Sequence, residues 1–115
     1  MGIAAMQEPT YFILASLLDE ARHGYGIIKR AEELSGGRVR LAAGTLYAAL
    51  DRLETAGHIR VERSEVVNGR ARRYYELTPD GSAALRAEAA RMAAAARVVT
   101  GRAARVVGRP VVGEA

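Results

Sequence analysis

Apolar residues first gather into a helical stripe. Tyr11, Leu14 and Leu18 recur at helical spacing, and Phe12, Ile13 and Leu17 widen the face. With Pro9 and Thr10 as start signals, this predicts a helix over about 10–21, with Thr10 as its cap. The stripe is wide enough to be touched on two sides. His23-Gly24 breaks the pattern, and a second helix is predicted from about Tyr25 to Leu34, stopped by Ser35-Gly36-Gly37. Val39-Arg40-Leu41 alternates over too few residues for anything but a small strand. Leu46, Leu50 and Leu53 mark a third helix from about Gly44 to Ala56, closed by Gly57. Two segments rich in Val and Tyr, Ile59 to Val67 and Arg70 to Leu77, flank Asn68-Gly69, a strong two-residue hairpin turn.

Thr78-Pro79 opens a last helix, with Thr78 as cap and Pro79 in the first turn. Leu85, Ala89, Met92, Ala96, Val99, Ala103 and Val106 follow at alternating steps of four and three. That is a narrow seam with a 3.5-residue period, the mark of helix-to-helix packing. From Pro79 to Val107 it would run about 43 Å, longer than so small a domain can cover. Gly108 and Pro110 stop it, and a flexible tail over 108–115 is expected.

Three helices followed by a hairpin is the order of a winged helix-turn-helix, whose third helix enters a major groove while the hairpin lies along the backbone. The expected fold is therefore mainly α with a small β-sheet. Residues 1–78 are expected to form the winged helix-turn-helix DNA-binding domain, with the first helix one candidate to pack with the last in a dimer interface. Residues 79–107 form the C-terminal dimerisation helix. The expected dimer interface comprises Tyr11, Leu14, Leu18, Leu85, Ala89, Met92, Ala96, Val99 and Ala103.

Composition narrows the function classes. The chain has 115 residues and no cysteine, so disulfides, thiol chemistry and zinc–thiolate sites drop out. No run approaches the about 20 apolar residues of a membrane span, and residues 1–8 lack the basic start of a secretory signal. A cytoplasmic protein is expected. Half the residues are hydrophobic, but 23 of them are alanine, so the core is thin and oligomerisation would help it. The net charge is +4, yet residues 1–81 hold eleven basic and eleven acidic residues. The surplus lies in the C-terminal segment, where a solvated arginine-rich helix face explains it as simply as an anionic partner does.

Local chemistry says more than the total. Ala43, Gly44, Thr45 and Tyr47 stand at the N-terminal end of the third helix, where free backbone N–H groups favour phosphate. The small residues let the backbone approach closely, and Arg52 can reach phosphate or guanine. A packing face against a neighbouring helix is the alternative. At the hairpin, Asn68, Gly69, Arg70, Arg72 and Arg73 place three like charges beside a tight turn, opposed by Glu62 and Glu65. Phosphate contact is favoured over a charged edge that merely blocks aggregation. Tyr25 and Lys29 on the second helix complete the expected DNA-binding set. Tyr74 and Tyr75 point to opposite faces, so one belongs to the core. His23 and His58, the two histidines, lack metal-ligand spacing, and no serine stands in a nucleophile-elbow context. His23 is expected to cap or pack at a helix start. No metal, cofactor or enzyme activity is expected.

These residues resemble the PadR-like transcriptional regulators. The likeness runs from about Tyr11 to Leu85. Its most specific piece is Gly44-Thr45-Leu46-Tyr47, followed by Leu50, Arg52-Leu53-Glu54 and Gly57-His58-Ile59. His23-Gly24-Tyr25-Gly26-Ile27 precedes it, and Gly69 to Thr78 follows. The resemblance implies a homodimeric regulator, usually a repressor, that binds an inverted-repeat operator on double-stranded DNA and is released by a small molecule. The length is similar to a short subfamily with one C-terminal helix, which builds the dimer with the first helix. Two departures stand out. Many members carry Ser-Pro where this chain has Ala42-Ala43, which removes a side-chain cap or phosphate contact. Some short members hold flat aromatic ligands between tryptophans, and this chain has no Trp. Met6, Phe12 and Met92, beside Tyr11, form the candidate effector pocket, with plain dimer core as the alternative. The competing reading is a winged-helix nucleic-acid-associated or protein-interaction module without an effector. A dimerisation domain of a larger enzyme is a more distant third.

Overall fold

The computed structural model describes residues 6–101. Its elements run α1 (Glu8–Ala15), α2 (Gly24–Leu34), α3 (Ala43–Thr55), β1 (Ile59–Val67), β2 (Arg70–Leu77) and α4 (Pro79–Thr100). α1 packs on α2 and α4, α2 on α3, and the two antiparallel strands lean on α3 and α4. This is the winged helix-turn-helix with an added C-terminal helix. Ile13, Leu14, Leu17, Ile27, Leu46, Leu50, Leu53, Ile59, Tyr75 and Leu85 close one core between these elements. Each side chain of that size contributes about 1.5–3 kcal/mol when fully buried.

The hairpin forms where its turn chemistry demands. Asn68 and Gly69 both take positive φ, 52° and 76°, the pair of left-handed residues a type I′ turn needs. A bulge at Glu62 shifts the register between Val61↔Tyr75 and Arg63↔Tyr74. Tyr75 is buried while Tyr74 is half-buried against Arg63, whose guanidinium stands 3.9 Å from the ring centroid. α4 begins as its sequence requires: Thr78 Oγ1 accepts from Gly81 N–H at 3.0 Å and donates to Gly57 O at 2.5 Å, with Pro79 in the first turn.

Three sequence expectations need correction. The first helix spans Glu8–Ala15 rather than 10–21, with Gln7, not Thr10, at its cap. Pro9 is tolerated in the first turn because its missing N–H would have had no partner there. The helix stops at buried Ser16, whose Oγ donates to Ile13 O at 2.6 Å while its carbonyl accepts from Arg22 Nε at 2.7 Å. Val39–Leu41 is no strand. The Val39 N–H is taken by Ser35 Oγ at 2.9 Å, and the free edge of β2 pairs with Arg22, which exchanges both backbone hydrogen bonds with Tyr75.

The expected dimer interface also shrinks. Leu14 and Leu85 lie inside the protomer's own core, 0% and 3% exposed, and cannot face a partner. Leu18 is exposed but belongs to the turn after α1. There it borders a cleft with Pro79, Ser82 and Arg86 at the start of α4, far from the exposed end of the seam. Ala103, Val106, the last helix beyond Gly101 and the tail 108–115 lie outside the described residues.

Candidate nucleic-acid interface

The candidate site is assembled by three elements meeting on one side of the molecule. α2 starts at Gly24, directly after Arg22 has been pinned to β2. That pairing sets His23 edge-on to Tyr74, with ring centroids 5.3 Å apart. Gly26 N–H donates to His23 Nδ1 at 3.4 Å, so His23 caps α2 as the sequence suggested. Exposed Tyr25 projects from the first turn, with Lys29 Nζ 5.8 Å from its ring centroid.

α3 presents Ala43, Gly44, Thr45, Ala48 and Arg52, all exposed, while Leu46, Ala49, Leu50 and Leu53 face the core. Ala42 caps α3 without a side-chain bond, so the first N–H groups of this helix find no side-chain acceptor at the cap. A Cβ added at Gly44 would meet nothing within 4 Å. The fold itself therefore does not require glycine there.

A cleft of about 830 Å³ separates these helices from the wing. It is lined by Tyr25, Tyr47, Asn68, Arg70, Arg72 and Arg73 from the expected set, together with His23, Gly24 and Asp51. Lys29, Ala43, Gly44, Thr45, Arg52 and Gly69 lie outside that lining. The sequence reading missed Asp51 in this cleft; its place one turn beyond Tyr47 on the same helix face was the available signal.

The wing carries more free positive charge than its sequence suggests. Glu62 and Glu65 both pair with Arg63, at 2.7 and 3.3 Å. Among the described residues, Arg70, Arg72 and Arg73 have no carboxylate within ion-pair distance. These three guanidinium groups along the first half of β2, with Arg70 and Arg73 exposed and Arg72 half-buried, can be neutralised by an anion's oxygens.

His23 titrates in a way that exposes the cap. Burial of the ring holds its pKa below the ordinary histidine value, Arg72 adds to the effect, and Glu65 opposes it. A depressed folded pKa means the unfolded chain takes up the proton first as pH falls. His23 therefore contributes stability above its unfolded value and loses it on acidification. In melts between about pH 8 and about pH 5, the wild type should lose more stability than His23→Asn, which caps without titrating. Parallel curves would show that burial of the His23 ring does not govern the pH dependence of stability.

Residues 13–87 match the family described as the transcriptional regulator PadR-like family. The chain belongs to this PadR-like family. A curated relative, the transcriptional regulator Rv3488 of Mycobacterium tuberculosis, is 42% identical over 89 residues, covering 77% of this chain and 79% of the relative. Among solved structures, a PadR family transcription regulator from Clostridium difficile aligns with a TM-score of 0.68 at 25% identity, over 83% of this chain and 97% of its own. A PadR-like transcription factor from Bacteroides fragilis gives 0.68 at 29%, over 80% and 86%. Bacillus subtilis PadR, solved in complex with operator DNA, gives 0.62 at 25% identity, over 70% of this chain and 46% of the longer PadR chain. The PadR-like match covers α2, α3 and the wing, so the elements around the cleft are those the family shares.

Proposed function

We propose that this PadR-like chain is a binding protein, not an enzyme: a cytoplasmic homodimeric repressor of transcription that holds an inverted-repeat operator and is released by a small-molecule effector. The observation that carries the DNA part is the unpaired arginine trio of the wing facing the same cleft as the start of α2 and Tyr47 of α3. The operator complex of Bacillus subtilis PadR supports it. The bare surface at Gly44 fits the close approach of a duplex. No described helix is long and apolar enough to cross a membrane. The exposed seam of α4, with Met92, Ala96 and Val99 bare, supports a second copy. Tyr11 lies on α1, which packs on α4; it is half-buried and edge-on to Phe12, with centroids 5.2 Å apart. The effector would enter between α1 and α4 at Met6, Phe12 and Met92.

In this arrangement α3 reads and the wing anchors. Thr45 is exposed at the entering end of α3. Thr45→Ala should leave the melt unchanged and reduce the preference for operator over scrambled duplex by the about 1–3 kcal/mol of one base-edge contact. Titrating wild type and variant against the duplex upstream of its own gene and a scrambled one, at one salt concentration, tests both this residue and the function. A wild type without preference would leave a winged module that recognises no operator.

Arg70→Ala and Arg72→Ala should behave differently. Each should weaken operator and random duplex alike and flatten the salt dependence by about 0.9 per lost phosphate contact. Unchanged low-salt affinity would detach that arginine from the backbone.

A further inference from the structure

Resting on that DNA-binding reading, we infer that Tyr47 is a positioning residue, whose hydroxyl end seats over the bare Cα of Gly24 and fixes the reading helix α3 against the start of α2. Gly24 and Gly26 flank Tyr25 and look equivalent in the sequence, but their surroundings differ. Neither has positive φ, so neither is glycine for conformational reasons. A Cβ at Gly26 would find its nearest neighbour, Arg22 Cβ, at 3.6 Å, ordinary contact. A Cβ at Gly24 would lie 2.9 Å from Tyr47 Cζ, closer still to Tyr47 Oη, and 3.4 Å from Leu46 Cδ2. Gly24 is therefore a socket, and the side chain filling it is Tyr47.

The seat joins the two helices that face the duplex. Leu46, fully buried, fixes the core side of α3. Tyr47 fixes the side toward α2, so Thr45, Ala48 and Arg52 hold one spacing from Tyr25 and Lys29. Groups reading base edges lose their discrimination when displaced by fractions of an ångström to an ångström. Tyr47 is 50% exposed, so its ring has somewhere to go when the socket is filled. It would swing into the cleft bounded by Asn68 and Arg72, the space the duplex backbone needs. Filling the socket therefore re-aims the interface instead of unfolding the chain.

The test uses the full chain, the two duplexes named above and thermal melts. Gly24→Ala should lower operator preference about tenfold, the factor of one lost base-edge contact, while Gly26→Ala leaves it unchanged. In a Tyr47→Ala background the Gly24→Ala change should cost nothing further. If Gly24→Ala alone does not fold, recovery of the melt in Gly24→Ala/Tyr47→Ala supports the seat and its absence overturns it. An equal loss from Gly24→Ala with and without the Tyr47 ring overturns the positioning role and leaves the DNA reading standing. A wild type with no operator preference overturns both.

Discussion

Gly81→Ala should lower the melting temperature by about 15 °C, the shift that about 3 kcal/mol produces in a domain of this size. Gly81 is buried in the first turn of α4. A Cβ there would lie 2.8 Å from the His58 carbonyl carbon and nearer still to its oxygen. Unlike a tyrosine tip, this neighbour is backbone and is held from several sides. The same His58 carbonyl accepts from Thr78 N–H at 3.1 Å, and Gly57 O accepts from Thr78 Oγ1. The turn after α3 and the start of α4 are thus one knot, and a methyl group in it must push α4 off the sheet. Leu85, one turn further along α4 and 3% exposed, would lose part of its burial with it. Thr78→Ala, which removes the cap but adds no bulk, should cost only about 1 kcal/mol. A Gly81→Ala melt within a few degrees of wild type would show that α4 is not docked at this contact.

The sequence was legible where one short-range rule decides a conformation. Asn68-Gly69 fixed both ends of the hairpin because two consecutive left-handed residues admit few other pairs. Thr78-Pro79 and His23 were readable as helix starts for the same reason: a cap bonds within three residues. The end of α1 was not readable. Leu17 and Leu18 continue the apolar rhythm, but the chain has already turned at Ser16, held by Arg22 six residues on. Leu17 reaches the core from that turn, so periodicity persisted where the helix did not. Val39 likewise alternates like a strand residue, but the sheet edge it would need belongs to Arg22.

At the candidate site, charge type was legible and charge pairing was not. In the sequence Glu62 and Glu65 oppose the wing arginines, and Glu65 does stand directly across from Arg72. The bulge at Glu62 brings both carboxylates to Arg63 instead, and only the folded register shows it. The role of Gly24 was hidden for a similar reason. Its partner lies 23 residues away, and nothing in the spacing of the two motifs says that one fills a hollow in the other.

Met92→Glu should convert the proposed dimer largely to monomer at micromolar concentration, weakening association by a few kcal/mol, or on the order of 100-fold. Every residue of α4 from Arg91 to Thr100 is exposed, with Val99 at 70%. An unsupported helical extension of that kind is marginal in water, and its apolar seam needs another helix. With Leu14 and Leu85 buried in the protomer and Leu18 displaced to the far end of α4, the seam narrows to Ala89, Met92, Ala96 and Val99 beside Tyr11. Met92, 37% exposed, is the large side chain nearest its centre. A glutamate there would bury a charge in an apolar seam. Ala87→Glu, an exposed position turned away from the seam, adds the same charge and should leave the dimer intact; Met92→Leu keeps the apolar volume and should do so too. Sedimentation velocity on the three variants separates interface loss from a general charge effect. Because an inverted repeat is read by two copies of α3 at fixed spacing, the Met92→Glu monomer should also lose operator preference while its melt keeps the transition of the winged domain. A Met92→Glu protein that still sediments as the wild-type dimer would move the interface off α4.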